Sequence, residues 1–165
     1  MGMDVHGRAA EGSVGHYFRD SVWSWHPLWD YCCCVAPDII SADLARSGHH
    51  NDGEGLDGES SKMLAIVLMD EIDSGRCAEY ERAYAARLAA LPDEVCRICA
   101  GTGRRLPPPI CGAGDDPCNG CGGDDHAGTP GTGKVRPNAT YYPFNTSNVR
   151  EFAAFLAACG GFEID

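Results

Sequence analysis

The sequence predicts an α+β fold, a small and mainly helical domain with short strands and a Gly/Pro-rich β-hairpin insertion. Three observations predict it. Apolar residues recur at helical spacing through residues 59–73, 77–91 and 149–159. Short aromatic and β-branched pieces lie between and after them. And residues 96–137 hold 10 Gly and 6 Pro, with two Cys-x-x-Cys pairs among them.

In chain order, residues 1–15 are small, polar and Gly-rich and read as a flexible arm. Val22, Trp23 and Trp25 suggest a short extended piece that ends at Pro27. A helix is expected to begin at this proline, its fixed φ suiting an early helical position, and to run through Leu28, Tyr31, Cys32 and Val35 to Pro37. A second helix covers Asp38 to Arg46 and stops at Gly48. The polar loop Gly48–Gly58 follows, and Asp57 or Ser60 can cap the helix of residues 59–73, which is apolar on most sides and central to the core. Ser74-Gly75 breaks it. In the next helix, about residues 77–91, Tyr80, Tyr84, Leu88 and Leu91 share one face, and Pro92 ends it. Beyond the Gly/Pro-rich stretch, residues 139–144 read as extended. Asn148 and Glu151 resemble a capping box for the last helix, and Phe162-Glu-Ile164 can return as a strand. The predicted organisation is an arm at 1–15, a helical core at 16–95, a hairpin module at 96–137, and a strand and C-terminal helix at 138–165 that pack back on the core.

The formal net charge of −11 is uneven: −10 over residues 1–95, +2 over 96–150 and −3 over 151–165. Duplex nucleic acid is repelled by the first 95 residues, so any such role falls to the 96–150 region. The N-terminus has no apolar run like that of a signal peptide. The longest apolar run, Met63–Met69, is far too short to span a bilayer. A cytoplasmic protein without a membrane segment is expected, and ten cysteines in a reducing compartment argue for metal or free thiols rather than disulfides.

Cys96-x-x-Cys99 and Cys118-x-x-Cys121 are separated by 18 residues, the spacing of a four-cysteine zinc site. Two thiolates three residues apart grip one side of a tetrahedral ion, and two such grips close its shell. The Gly/Pro-rich segment is too poor in large apolar side chains to fold by itself. One structural Zn²⁺, worth about 10–16 kcal/mol of apparent binding free energy, supplies the missing order. A closed four-thiolate shell leaves no position for water, so the site reads as structural and no catalytic residue is assigned.

Cys96-Arg-Ile-Cys99-Ala-Gly101-Thr-Gly103 is a full C-x-x-C-x-G-x-G unit and resembles the repeat of the DnaJ-type cysteine-rich zinc domain. In that family two units on facing hairpins share one zinc ion. The second unit here starts as Cys118-Asn-Gly-Cys121-Gly-Gly123. Residues 124–130 then intervene before Gly131-Thr-Gly-Lys-Val135, which the resemblance makes the displaced tail of the same unit. It covers about a quarter of the chain, lacks a J-domain signature and has two units where the family has four, so chaperone activity is not implied. More loosely, the PLWDY opening, the HNDGEGL loop, the cysteine hairpin and YPFNTSNVREFAAFL resemble a family of uncharacterised phage and bacterial proteins, which implies a host-cytoplasm location if the chain is phage-encoded.

Gly128–Lys134 also satisfies G-x-x-x-x-G-K. But Val135 stands where Ser or Thr should hold Mg²⁺, no apolar strand precedes it, and Arg136-Pro137 blocks the helix that should follow.

Among other residues, His49, His50 and Asp52 in the Gly-rich loop are the best candidates for ligand binding or acid–base work outside the cysteines, although a solvated capping loop is the plainer reading. Trp23, Trp25 and Trp29 can form an aromatic wall for a ligand or simply cover the core. One or two of Cys32, Cys33 and Cys34 are expected in the core, with Cys77 and Cys159, and Cys111 is a bystander thiol or a substitute ligand. The leading function is a non-enzymatic zinc-stabilised adaptor that binds another protein. The first alternative is a small-ligand or nucleotide-binding protein built on the His49–Asp52 loop. The second is single-stranded nucleic-acid binding through Arg97, Arg104, Arg105, Lys134 and Arg136, weakened because a four-thiolate zinc centre brings −2 of its own.

Overall fold

A computed structural model describes residues 2–105, 116–122 and 130–165. It confirms the α+β class. The chain divides into two compact units, one formed by residues up to Arg87 together with Tyr142–Asp165, the other by Leu88–Tyr141.

The first unit begins with strand β1 (Gly2–Gly7), followed by β2 (Tyr17–Ser21). With β5 (Phe162–Ile164) they form an antiparallel sheet of order β2-β1-β5. Val5 is paired with Phe18 on one side and Ile164 on the other. The strands alternate as a one-sided sheet should. Met3, Val5, Phe18, Phe162 and Ile164 are buried, while His6, Tyr17 and Arg19 face out. On the outer face the Tyr17 hydroxyl donates to Asp4.

Four helices cover the core: α1 (Val22–Val35) and α5 (Thr146–Ala158) pack on the sheet, α2 (Ala42–Ser47) packs on α1, and α3 (Gly58–Asp73) packs on α5 and α1; α4 (Arg76–Ala89) follows α3 after Gly75. Each covering helix has a polar N-cap that accepts a backbone N–H of the first turn: Ser21 from Ser24, Ser41 from Leu44, Asp57 from Ser60 and Asn145 from Ser147. Helices α3 and α5 pack along each other, and Leu64, Leu68, Phe152, Phe155 and Leu156 between them are almost fully buried. Trp25 and Trp29 stack at 5.6 Å under the sheet, and Phe152 meets Trp25 edge-on.

Four expectations change. Residues 2–7 are not an arm but the central strand of the sheet, because Met3 and Val5 bury completely between β2 and β5. The segment from Val22 is helical rather than extended. Ser21 caps it, and Pro27 sits inside the helix, where it costs one backbone bond but the buried faces of Trp25, Leu28 and Trp29 hold the helix. The last helix is capped by Asn145, not Asn148, whose amide instead donates to Asp20 at 2.5 Å. And residues 138–141 form a 3-10 turn rather than an extended piece.

The second unit begins earlier and ends later than residues 96–137. Arg136 explains the wider bounds. Its guanidinium donates to the carbonyls of Leu88 (3.3 Å) and Leu91 (3.4 Å) and faces Asp93 at 3.4 Å, closing the C-terminal end of α4. Strands β3 (Glu94–Val95) and β4 (Lys134–Val135) pair antiparallel, with Val95 opposite Lys134. Among the described residues no helix is long and apolar enough to cross a membrane.

Candidate metal centre

The hydrophobic core of the second unit, among the described residues, gathers around four sulfurs. It is made of Cys96, Cys99 and Cys118, with Cys121 and Val135 packed against them. The four Sγ atoms all lie within 4.8 Å of one another. Cys96 and Cys118 are 3.8 Å apart, and Cys99 and Cys121 are 3.6 Å apart. A tetrahedral ion with Zn–S near 2.3 Å separates its sulfurs by about 3.8 Å, so the spacing fits. It does not fit a disulfide, whose sulfurs sit about 2.05 Å apart. No other group of three or more metal-ligating side chains comes this close among the described residues.

The backbone around the sulfurs repeats itself. The N–H of Cys96 donates to Gly133 O and that of Cys118 to Gly103 O, both at 2.9 Å. The N–H of Thr102 donates to Cys99 O, and that of Thr132 to Cys121 O. The Thr102 hydroxyl bridges the N–H and C=O of Arg104, and the Thr132 hydroxyl does the same for Lys134. The residue before each first cysteine pairs with the residue after the other half's final glycine: Val95 with Lys134, Pro117 with Arg104. Gly131-Thr-Gly-Lys134 is therefore the counterpart of Gly101-Thr-Gly-Arg104. This arrangement removes the phosphate-loop geometry at Lys134, which enters a strand rather than a helix. Cys111 and residues 124–129 lie outside the described residues.

Two glycines make the close approach possible. Gly103 (φ 73°) and Gly133 (φ 72°) both adopt the left-handed conformation. A Cβ on Gly103 would lie 2.1 Å from Gly131 O, and one on Gly133 would lie 2.2 Å from Gly101 O. Gly133→Ala should therefore weaken metal retention while leaving the melting of the first unit unchanged, as read by competition with a chelator and by circular dichroism.

Backbone N–H groups also point at the sulfurs, that of Gly103 at Cys99 (3.3 Å) and that of Gly120 at Cys118 (3.4 Å). Burial works to raise the Cys99 thiol. The Gly103 N–H, then the Cys121 and Cys96 thiols, outweigh it and hold Cys99 down to about 6. Burial and the neighbouring Cys99 push Cys121 up to about 12. A metal ion binds the thiolate form, so it must displace any proton this pair holds.

The remaining sequence candidates sit in the first unit. Trp25 and Trp29 are fully buried, and their indole N–H groups donate to Gly48 O (2.8 Å) and Ala45 O (3.2 Å). They brace α1 against the end of α2 and face no solvent. Trp23 is 46% exposed and meets the Tyr142 ring edge-on at 4.8 Å. Asp52 is exposed, and the loop beyond it runs along β5: the N–H of Gly53 donates to Ile164 O, and the N–H groups of Ile164 and Phe162 donate to Glu54 O and Leu56 O. That pairing separates Asp52 from His49, whose Nε2 turns to Asp30 Oδ1 at 3.1 Å. His26 stacks on His49 with ring centroids 4.7 Å apart. Sequence reasoning missed His26 and Asp30. Their signal was the four-residue spacing on one face of a helix, hidden because His26 fell where an extended piece was expected.

Cys32 is fully buried and Cys33 half-buried, and burial pushes Cys32 well up and Cys33 up to about 11, which makes both poor nucleophiles. Cys77 and Cys159 are buried as well, and Cys34 is exposed.

No protein-family model matches the chain, and no curated protein or solved structure is significantly similar to it. The functional reading therefore rests on the chain's own residues.

Proposed function

We propose that the chain is a zinc-stabilised, non-enzymatic binding protein whose second unit presents a metal-ordered surface to a protein partner. The four-sulfur cage carries this reading. Its ligand set is all cysteine, its sulfur spacing suits a tetrahedral ion, and a shell closed by four thiolates has no open position for substrate. Zinc is the ion of choice for such a set because it takes tetrahedral thiolate coordination without redox chemistry. The nine described cysteines form no disulfide, in keeping with the reducing environment of the cytoplasm.

The candidate contact surface is set by the cage. Val95 is 62% exposed and Ile98 53% exposed, one directly before Cys96 and the other between the first pair of ligands. Apolar side chains held outward by a rigid backbone are suited to a protein partner. Nucleic acid fits less well. Arg105 is bound to Asn119 (2.6 Å) with Asp116 beside it, and Arg136 is bound to helix carbonyls and Asp93.

The test uses Val95→Asp and Ile98→Asp in the full chain. Both variants should keep their zinc and their melting point yet lose a partner captured by the native protein. Capture that persists in both would contradict the reading.

A further inference from the structure

The first unit holds a second group of metal-ligating side chains, independent of the cysteines. His26 and Asp30 lie four residues apart on α1, and His49 approaches them from just beyond α2. His49 Nε2 is 3.1 Å from Asp30 Oδ1, while its Nδ1 is buried with no hydrogen-bond partner. The His26 ring lies against His49 at 4.7 Å, tilted by 41°, and also meets the Tyr142 ring, with centroids 5.7 Å apart.

Two things make this arrangement more than a packed pair of rings. A metal-bound histidine ordinarily gives its other ring N–H to a carboxylate, which fixes the tautomer and strengthens the ligand. His49 already has that outer half, with Asp30 on one nitrogen and nothing on the other. A buried, unpaired imidazole nitrogen is also uncommon without a reason, since such groups nearly always find a partner. We propose that His26 and His49 form a second, open site for a borderline transition-metal ion of the Zn²⁺ class, with Asp30 orienting His49. Two imidazoles leave the remaining positions to water or a small anionic ligand, so unlike the cysteine cage this site can exchange ligands. Asp52, the carboxylate nearest in sequence to this histidine pair's loop, takes no part.

The test is calorimetric titration of the full chain with Zn²⁺, beginning from protein loaded with one equivalent. The inference expects a second, weaker equivalent. His26→Gln and His49→Gln should each weaken that event at least about tenfold, and Asp30→Asn should weaken it about 10–100-fold. All three should leave the first equivalent in place, and His26→Gln, at a half-buried position, should keep the native melting curve. A Cys99→Ser/Cys121→Ser protein should lose the tight event and keep the weak one, which separates failure of the cysteine site from failure of this one. No second event, or a second event unmoved by both histidine variants, would overturn the inference.

Discussion

Removing the metal should unfold the second unit and leave the first one folded. With a strong chelator, or in a Cys99→Ser/Cys121→Ser protein, amide hydrogen exchange across the described residues of 88–141 is expected to rise to that of an open chain. Protection in β1, α3 and α5 should persist. The magnitudes decide the matter. A structural four-thiolate zinc site contributes about 10–16 kcal/mol, which equals or exceeds the whole stability of a typical domain, about 5–15 kcal/mol. Among the described residues of the second unit nothing can replace it: the buried core there is made of the ligands themselves, with Val135 packed against them, and the ladder β3–β4 is two residues long on each side. Protection that survives metal removal would show that the hairpins hold without the ion.

The second large effect lies in the first unit, where Trp25→Ala should cost about 3–5 kcal/mol and lower the melting point of that unit sharply. Trp25 is fully buried, stacks on Trp29, meets Phe152 edge-on at 5.4 Å and donates to Gly48 O. Truncation removes all of these at once and leaves a cavity at the centre of the core. The Trp23→Ala change should cost only about 1 kcal/mol, the worth of its edge contact with Tyr142, because the indole is half exposed. Denaturant titrations of the two variants give the comparison directly. Equal losses would contradict the assignment of Trp25 to the core and Trp23 to the surface.

The cluster of four cysteines was legible in the sequence because its pattern is local. Two Cys-x-x-Cys pairs and their following glycines specify both ligands and turns within a few residues. The same holds for α3, whose cap Asp57 and apolar run lie side by side, and for β5, bounded by Gly160-Gly161. What was not legible depends on partners far along the chain. Residues 2–7 look like a loose arm because four of the six are glycine or polar. They become a strand only because Phe18 and Ile164 close over Val5 from both sides. Pro27 reads as a boundary, yet tertiary burial of the residues around it keeps the helix running through. The same misreading hid His26 and turned attention to Asp52, a sequence neighbour of His49 that the fold carries away along β5. Gly131-Thr-Gly-Lys134 repeats the Gly-Thr-Gly of Gly101-Thr-Gly-Arg104, and the matching hydrogen bonds of Thr102 and Thr132 are the physical counterpart of that repeat.

The central claim is that Cys96, Cys99, Cys118 and Cys121 share one ion, and native mass spectrometry of protein purified without added zinc tests it most directly. The account predicts one tightly held zinc, retained after dialysis and lost in the Cys99→Ser/Cys121→Ser variant. Protein that carries no metal, or that keeps its tight zinc when these two ligands are changed, would contradict it.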